Sequence, residues 1–111
     1  MIVSILEAIE RATGLLLVPL ESGSPGEQVI YNTVPIADNG VHRQYRVELN
    51  IVADSLAAAE RYDEAVRRAL LSVGDGNPIA DNMTIELAGG GTLTSKAGVH
   101  RLTSYVVTEG I

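Results

Sequence analysis

One stretch of strict alternation constrains the fold of this chain more than any other feature. From residue 44 to residue 51 polar and apolar side chains alternate, and the apolar members are Tyr45, Val47, Leu49 and Ile51. Successive side chains of a β-strand point to opposite faces of its sheet. This stretch therefore predicts a strand with one face in a core and the other in water.

Two amphipathic helices are predicted to cover the buried face. The first carries apolar residues at helical spacing and meets a glycine suited to a C-cap at Gly14; its stripe is Ile2, Ile5, Leu6 and Ile9. The second can be capped by Asp54 or Ser55 and ends at Gly74; its stripe is Ala59, Tyr62, Val66, Ala69, Leu70 and Val73.

Three more strands are predicted. Val29 to Ile36 is rich in β-branched residues, and Pro35 makes it an edge strand because proline cannot donate a ladder hydrogen bond. Asn39-Gly40 supplies the turn that follows. The third strand alternates through Met83, Ile85 and Leu87 until residues 89–91, all glycine, break it, and the fourth covers Val99 to Thr108.

These elements predict one α+β domain over residues 1–111, in the order α-β-β-α-β-β. A right-handed crossover between the hairpins leaves room for the fourth strand beside the second, so the predicted spatial order is 1-2-4-3. The sheet is then four-stranded and mainly antiparallel, with both helices packed on one face. The segment from Leu15 to Leu20, which contains Pro19, is predicted to lie extended against the core and not to be a central strand.

Composition narrows the classes of function. The 111 residues carry a formal net charge of −6, which disfavours a chain that binds nucleic-acid phosphates. The chain has no cysteine, so disulfides, zinc–thiolate sites and cysteine nucleophiles are excluded. The first residues lack the basic segment of a signal peptide, and no apolar run reaches the length of about 18 residues that a membrane span needs. We expect no cofactor and no membrane partner.

Gly-Val-His-Arg occurs twice, at residues 40–43 and 98–101, and contains the chain's 2 histidines. In the predicted topology the two copies begin antiparallel neighbouring strands, so His42 and His100 lie roughly 30 Å apart. One subunit cannot then join them in a metal site. The favoured interpretation is that each copy marks a turn followed by a strand. The alternative, functional interpretation is that Arg43 and Arg101 pair with acidic residues of another subunit.

Catalytic signatures are missing from the sequence. It contains neither the HExxH metalloprotease pattern nor the GxSxG nucleophile elbow, and the glycines at 89–91 lack the Lys of a phosphate-binding loop. Glu60 and Glu64 form a carboxylate pair, but a solvated helix face explains them better than acid–base chemistry. We therefore expect a protein that is not an enzyme.

The order of elements resembles the tail terminator (tail completion) proteins of long-tailed bacteriophages, a head–tail joining family. The stretch from Tyr45 to Ala53, the helix from Ala57 to Leu71, and the strand containing Tyr105, Val106 and Val107 carry the resemblance. It covers nearly the whole length and depends on pattern and size, because the family has no invariant short signature.

The resemblance implies a structural virion protein of the tail and neck that assembles in the host cytoplasm. It implies a homo-oligomeric ring, usually a hexamer, that caps the completed tail tube and binds a head-completion (stopper) protein. DNA would pass through this ring without sequence-specific binding, and an acidic ring would repel it.

The contacts of such a ring are expected in the loops at 21–27, 74–82 and 89–98 and at an exposed sheet edge, because long glycine-rich loops tend to carry function. The candidate interface residues are Ser24, Pro25, Arg43, Asp75, Asn77, Lys96 and Arg101. Three alternatives stay open: a small ligand-binding or regulatory α+β domain, another head–tail connector component, and a small enzyme that uses His42 or His100 with a partner subunit.

Overall fold

The computed structural model describes residues 2–19, 26–71, 83–95 and 98–110. The helices are α1 (Ile2–Thr13) and α2 (Leu56–Leu71). The strands are β1 (Leu17–Pro19), β2 (Gln28–Asp38), β3 (His42–Ala53), β4 (Met83–Ser95) and β5 (Gly98–Gly110).

The strands form a 5-stranded sheet in the order β1-β2-β3-β5-β4. The α+β class is confirmed, but the four-strand count and the element order α-β-β-α-β-β are wrong. The additional strand is β1, which pairs parallel to β2 through Leu17 opposite Val29 and Pro19 opposite Tyr31. The four strands expected from the sequence have the expected spatial order, and all their pairings are antiparallel.

β4 also differs from its prediction, because it continues through the glycines to Ser95. The ladder with β5 shifts register between Leu87 and Gly89 and then resumes, so the bulge lies just before the glycines, which pair with β5 and do not end the strand. A side chain at Gly90 would collide with the carbonyl oxygen of Leu102. Glycine is thus required where the two backbones come closest.

One face of the sheet and the two helices enclose the main core. Leu49 and its alternate neighbours in β3 are buried, as are Ile5 and Ile9 of α1 and Val66 and Leu70 of α2, all in one cluster with Val29, Tyr105 and Val107. The helices contact each other, and α2 contacts β3, β4 and β5. Burying this apolar surface is the main force that holds the layers together.

The opposite face of the sheet, hereafter the open face, carries the polar members of the alternation. Gln44, Arg46, Glu48 and Asn50 are all partly exposed there. The Asn32 amide donates to the Glu48 carboxylate across β2 and β3 at 3.1 Å. The alternation in the sequence therefore predicted both faces of β3.

The start of α2 shows which candidate cap is used. The Ser55 hydroxyl accepts a hydrogen bond from the amide of Ala58 at 3.1 Å, as an N-cap does. The Glu27 carboxylate links β2 to this turn, because it accepts from the Asp54 amide at 3.0 Å and from the Tyr62 hydroxyl at 2.8 Å. That second bond raises the pKa of Tyr62. Glu27 thereby fixes the start of α2 beside β2.

Candidate assembly interface

The hairpin of β2 and β3 ends in an exposed arm, defined as residues 35–43, all of which are exposed. The Asn39 side-chain oxygen closes the turn by accepting from the amides of Val41 and His42 at 2.9 and 2.7 Å, and Gly40 adopts a φ of 84°. Ile36 and Val41 are large apolar residues exposed on this arm. The turn is thus well ordered by hydrogen bonds while two large apolar side chains next to it stay exposed to solvent.

Arg43 lies on this arm and pairs with Asp38 of its own chain, with Nε 3.4 Å from Oδ2. The Gly40 amide donates to Asp38, and this bond together with Arg43 lowers the pKa of Asp38. Both side chains are about half-exposed, so the ion pair contributes little to stability. A contact between Arg43 and another subunit stays a prediction.

A depression of about 670 Å³ lies beside the arm. Its wall is formed by β2 and β3 residues and by Glu109 of β5; the lining is Thr33, Pro35, Ile36, Ala37, Asp38, Arg43, Gln44, Tyr45 and Glu109. Tyr45 is only 8% exposed, and its hydroxyl has no hydrogen-bond partner within the described ranges. The lining therefore combines apolar side chains with charged ones, Asp38, Arg43 and Glu109 among them.

Burial, reinforced by the nearby Glu109 carboxylate, raises the pKa of Tyr45 to about 12. Because the folded pKa lies above the unfolded value near 10, the unfolded chain loses the proton first and stability falls as pH rises from about 10 towards 12. We expect Tyr45→Phe to reduce this alkaline loss and to match the parent at pH 7. Urea unfolding of both proteins at pH 7 and pH 11 measures the difference, and equal alkaline losses would contradict the prediction.

The opposite edge of the sheet is β4. Its 13 residues include a single charged side chain, Glu86, and neither lysine nor proline. Leu87 and Leu93 are large apolar residues exposed on it. Natural edge strands are usually protected against pairing with another chain by charged residues, proline or short length. β4 lacks these protections over most of its length, as expected for a strand that another protein chain covers.

Arg101 lies under α2 and contacts Asp63, whose side chain is 6% exposed. The Nε and Nη2 atoms of Arg101 are each 3.1 Å from Oδ2 of Asp63, and Nη1 donates to the Thr92 hydroxyl at 2.8 Å. Arg67 approaches the same Asp63 oxygen at 3.2 Å. This cluster joins α2 to β4 and β5, and whether Arg101 also contacts another subunit stays a prediction.

The buried carboxylate of Asp63 is not among the residues that the sequence analysis singled out. Its position in the helical repeat of α2 is the sequence feature that indicates burial. Asp63 follows Ala59 by four residues and precedes Val66 by three, so it lies on the buried stripe of α2. In the part of the chain that the structure describes, Oδ1 of Asp63 is buried without a hydrogen-bond partner.

The two histidines lie at opposite ends of the ladder between β3 and β5, as predicted. His42 is opposite Gly110, while His100 is opposite Val52, ten positions along β3. The Nδ1 atom of His100 is 3.2 Å from the Asn50 amide nitrogen on the open face. Across the four described ranges, no group of three or more His, Asp or Glu residues is arranged to hold a metal ion.

Five candidate interface residues lie outside the described residues: Ser24, Pro25, Asp75, Asn77 and Lys96. They therefore stay predictions. Within the described part of the chain, neither helix is long and apolar enough to cross a membrane.

Comparison with known proteins finds a likeness of fold only. No model of a protein family matches the chain, and no curated protein sequence matches it. Among solved structures, the fold is similar to that of a chain in the virion of a native gene transfer agent (GTA) particle. The TM-score is 0.62 and the identity is 14%, over 96% of this chain and 90% of that chain. An identity this low establishes a shared fold and nothing finer.

Proposed function

We propose that this protein is a structural component of a phage-like virion. The observation that carries the proposal is the fold, which is similar over nearly its full length to that of a chain from a gene transfer agent virion. The exposed arm and the β4 edge, which carries a single charged residue, support the same proposal, because both expose large apolar side chains that another protein chain could cover.

The proposed place of the protein in the particle is the junction of tail and neck. There it forms a ring of identical subunits, six in the family that the sequence resembles, on the end of the tail tube. One side of the ring contacts the tube protein and the other contacts a head-completion protein. The net charge of −6 per chain suits a ring through which DNA passes without binding.

The proposed role includes no catalytic step. The Asp63 carboxylate is bonded to Arg67 and Arg101, which is a structural use of a buried acid. The second candidate function is a small ligand-binding domain, and the depression of about 670 Å³ beside Tyr45 favours it because ligand sites commonly have this volume. The depression also suits a side chain from a neighbouring subunit, which the ring supplies.

The proposal is tested by deleting the gene of this protein from the phage-like genome that encodes it. Electron microscopy is expected to show heads separated from tails, and tails of irregular length. A plasmid copy of the gene should restore joined particles, and mass spectrometry of those particles should detect the protein. Joined particles of normal tail length in the deletion strain would refute the terminator role. Absence of the protein from purified particles would refute any virion role.

A further inference from the structure

We propose that successive copies of this chain join head to tail by continuing one β-sheet, a contact that would build the ring proposed above. Met83–Leu87 of one copy pairs antiparallel with Asn32–Pro35 of the next. In this contact Leu87 enters the depression beside Tyr45. The inference rests on the proposed function for its biological setting, although its geometry comes from the sheet itself.

Among the described residues, the sheet has two different edges that are open to such pairing. β1 pairs with Val29–Tyr31 only, so beyond Tyr31 no strand in the described ranges lies on the outer side of β2. The other edge is β4, which pairs with β5 on its inner side. Because the two edges differ, a contact between them is heterologous and generates a ring or an open filament.

Strand polarity suits this contact. β2 is antiparallel to β3, β3 to β5, and β5 to β4, so three reversals leave β4 running opposite to β2. A second copy placed beside the first in the same orientation therefore brings β4 against β2 as an antiparallel pair. The helices of both copies then stay on the same side of the extended sheet.

The side chains at the two edges also match by face. Leu87 is opposite the buried Tyr105, so it projects on the helix side of the sheet, where it is 43% exposed. Thr33 and Pro35 are opposite Val47 and Tyr45, so they project on that same side and line the depression. A continuous sheet therefore directs the exposed Leu87 of one copy towards Thr33 and Pro35 at the edge of the depression of the next.

The two pairing segments have similar lengths. On β2 the ladder shifts register after Pro35, and on β4 it shifts after Leu87. Bulges disrupt a ladder and bend the strand, so we place the contact in the regular stretches before the two bulges, Asn32–Pro35 and Met83–Leu87. Glu86 is the one charged residue within these two segments, so no like charges oppose each other in the contact.

The absence of cysteine from the chain permits a direct test. Three variants are prepared: Thr33→Cys with Leu87→Cys, Val34→Cys with Leu87→Cys, and Leu87→Cys alone. Each variant gene replaces the parent gene in the producing cell. Purified particles and concentrated free protein are then oxidised, and their cross-linked products are separated by gel electrophoresis without reductant. β2 and β4 of one copy are three strand spacings apart, about 14 Å, and a disulfide needs Cα atoms within about 7 Å. Cross-links thus report contacts between copies.

The Thr33/Leu87 variant is expected to give a ladder of cross-linked multimers in particles, ending at the number of subunits in the ring. Val34 is opposite Arg46 and so projects on the open face; its variant, the matched control, should give at most a tenth of that product. No multimers from the Thr33/Leu87 variant in particles that contain it would overturn the proposal. An equal yield from Val34, or efficient dimers from Leu87→Cys alone, would also overturn it, since the latter indicates pairing of β4 with itself.

The two proposals fail separately. If gene deletion separates heads from tails but the Thr33/Leu87 variant gives no ladder, the neck role stands and the sheet contact is wrong. If the ladder forms in the free protein while deletion leaves particles normal, the sheet contact stands and the terminator role is wrong. Circular dichroism of each variant confirms folding, which we expect because Thr33 and Leu87 are both exposed.

Discussion

Replacing Leu49 with aspartate is expected to abolish folding at neutral pH. Leu49 is 2% exposed in the middle of β3, and its neighbours on that face, Val47 and Ile51, belong to the same core cluster. A buried carboxylate without a partner costs several kcal/mol, while a domain of this size is stable by only about 5–15 kcal/mol. The circular dichroism spectrum of Leu49→Asp should therefore be that of an unfolded chain.

The matched control is Glu48→Lys, one position along the same strand. Glu48 projects on the open face, is partly exposed, and loses only the hydrogen bond from Asn32. That loss should lower the free energy of unfolding by about 1 kcal/mol. If thermal melts show the two variants equally stable, the assignment of faces on β3 is wrong.

Removing the Asp63 carboxylate is expected to have the second largest effect. Asp63→Ala leaves Arg67 and Arg101 without the carboxylate that both contact. Removing one partner of a buried ion pair typically lowers the free energy of unfolding by about 3–5 kcal/mol. The arginine side chains are 42% and 27% exposed, so water compensates in part and we expect a loss of about 2–4 kcal/mol. Urea unfolding at pH 7 measures this loss.

Glu64→Ala is the matched control because Glu64 forms the neighbouring i,i+4 pair with Arg68, at 2.7 Å but fully on the surface. Its removal should change the free energy of unfolding by less than about 0.5 kcal/mol. The double variant Asp63→Leu with Arg101→Met should recover part of the loss, since it removes Asp63 and Arg101 together and leaves Arg67, whose side chain is partly exposed to water. Similar losses from Asp63→Ala and Glu64→Ala would show that the cluster under α2 contributes no more than a surface pair.

The sequence predicts those elements whose periodicity reflects a single buried face. The alternation of β3 and the stripes of α1 and α2 are of this kind, and all three elements are present, although the expected end of α2 at Gly74 lies outside the described residues. β1 was missed because three residues ending in Pro19 carry no measurable period, and it exists only through pairing with β2. The end of β4 was misplaced because glycines usually break strands, whereas here β5 supplies ladder partners on both sides of a bulge.

The candidate interface was less accessible to sequence reasoning, for a physical reason. The depression beside the arm combines Pro35, Tyr45 and Glu109, which approach each other only after β2, β3 and β5 have paired. Arg43 and Arg101 were singled out from a repeated tetrapeptide, and the structure gives each a carboxylate in its own chain. A local motif does not encode these partners, because Asp63 is 38 positions from Arg101.

The position of β5 between β3 and β4 has a consequence for how the chain folds during synthesis. β5 is made after every other strand, yet it fills the place between the centre of the sheet and the β4 edge. Until it emerges from the ribosome, β3 has a bare backbone along one side, and the helices have only part of a sheet to pack against. Contacts so distant in sequence form slowly. The nascent chain is therefore most vulnerable to aggregation just before its final strand inserts.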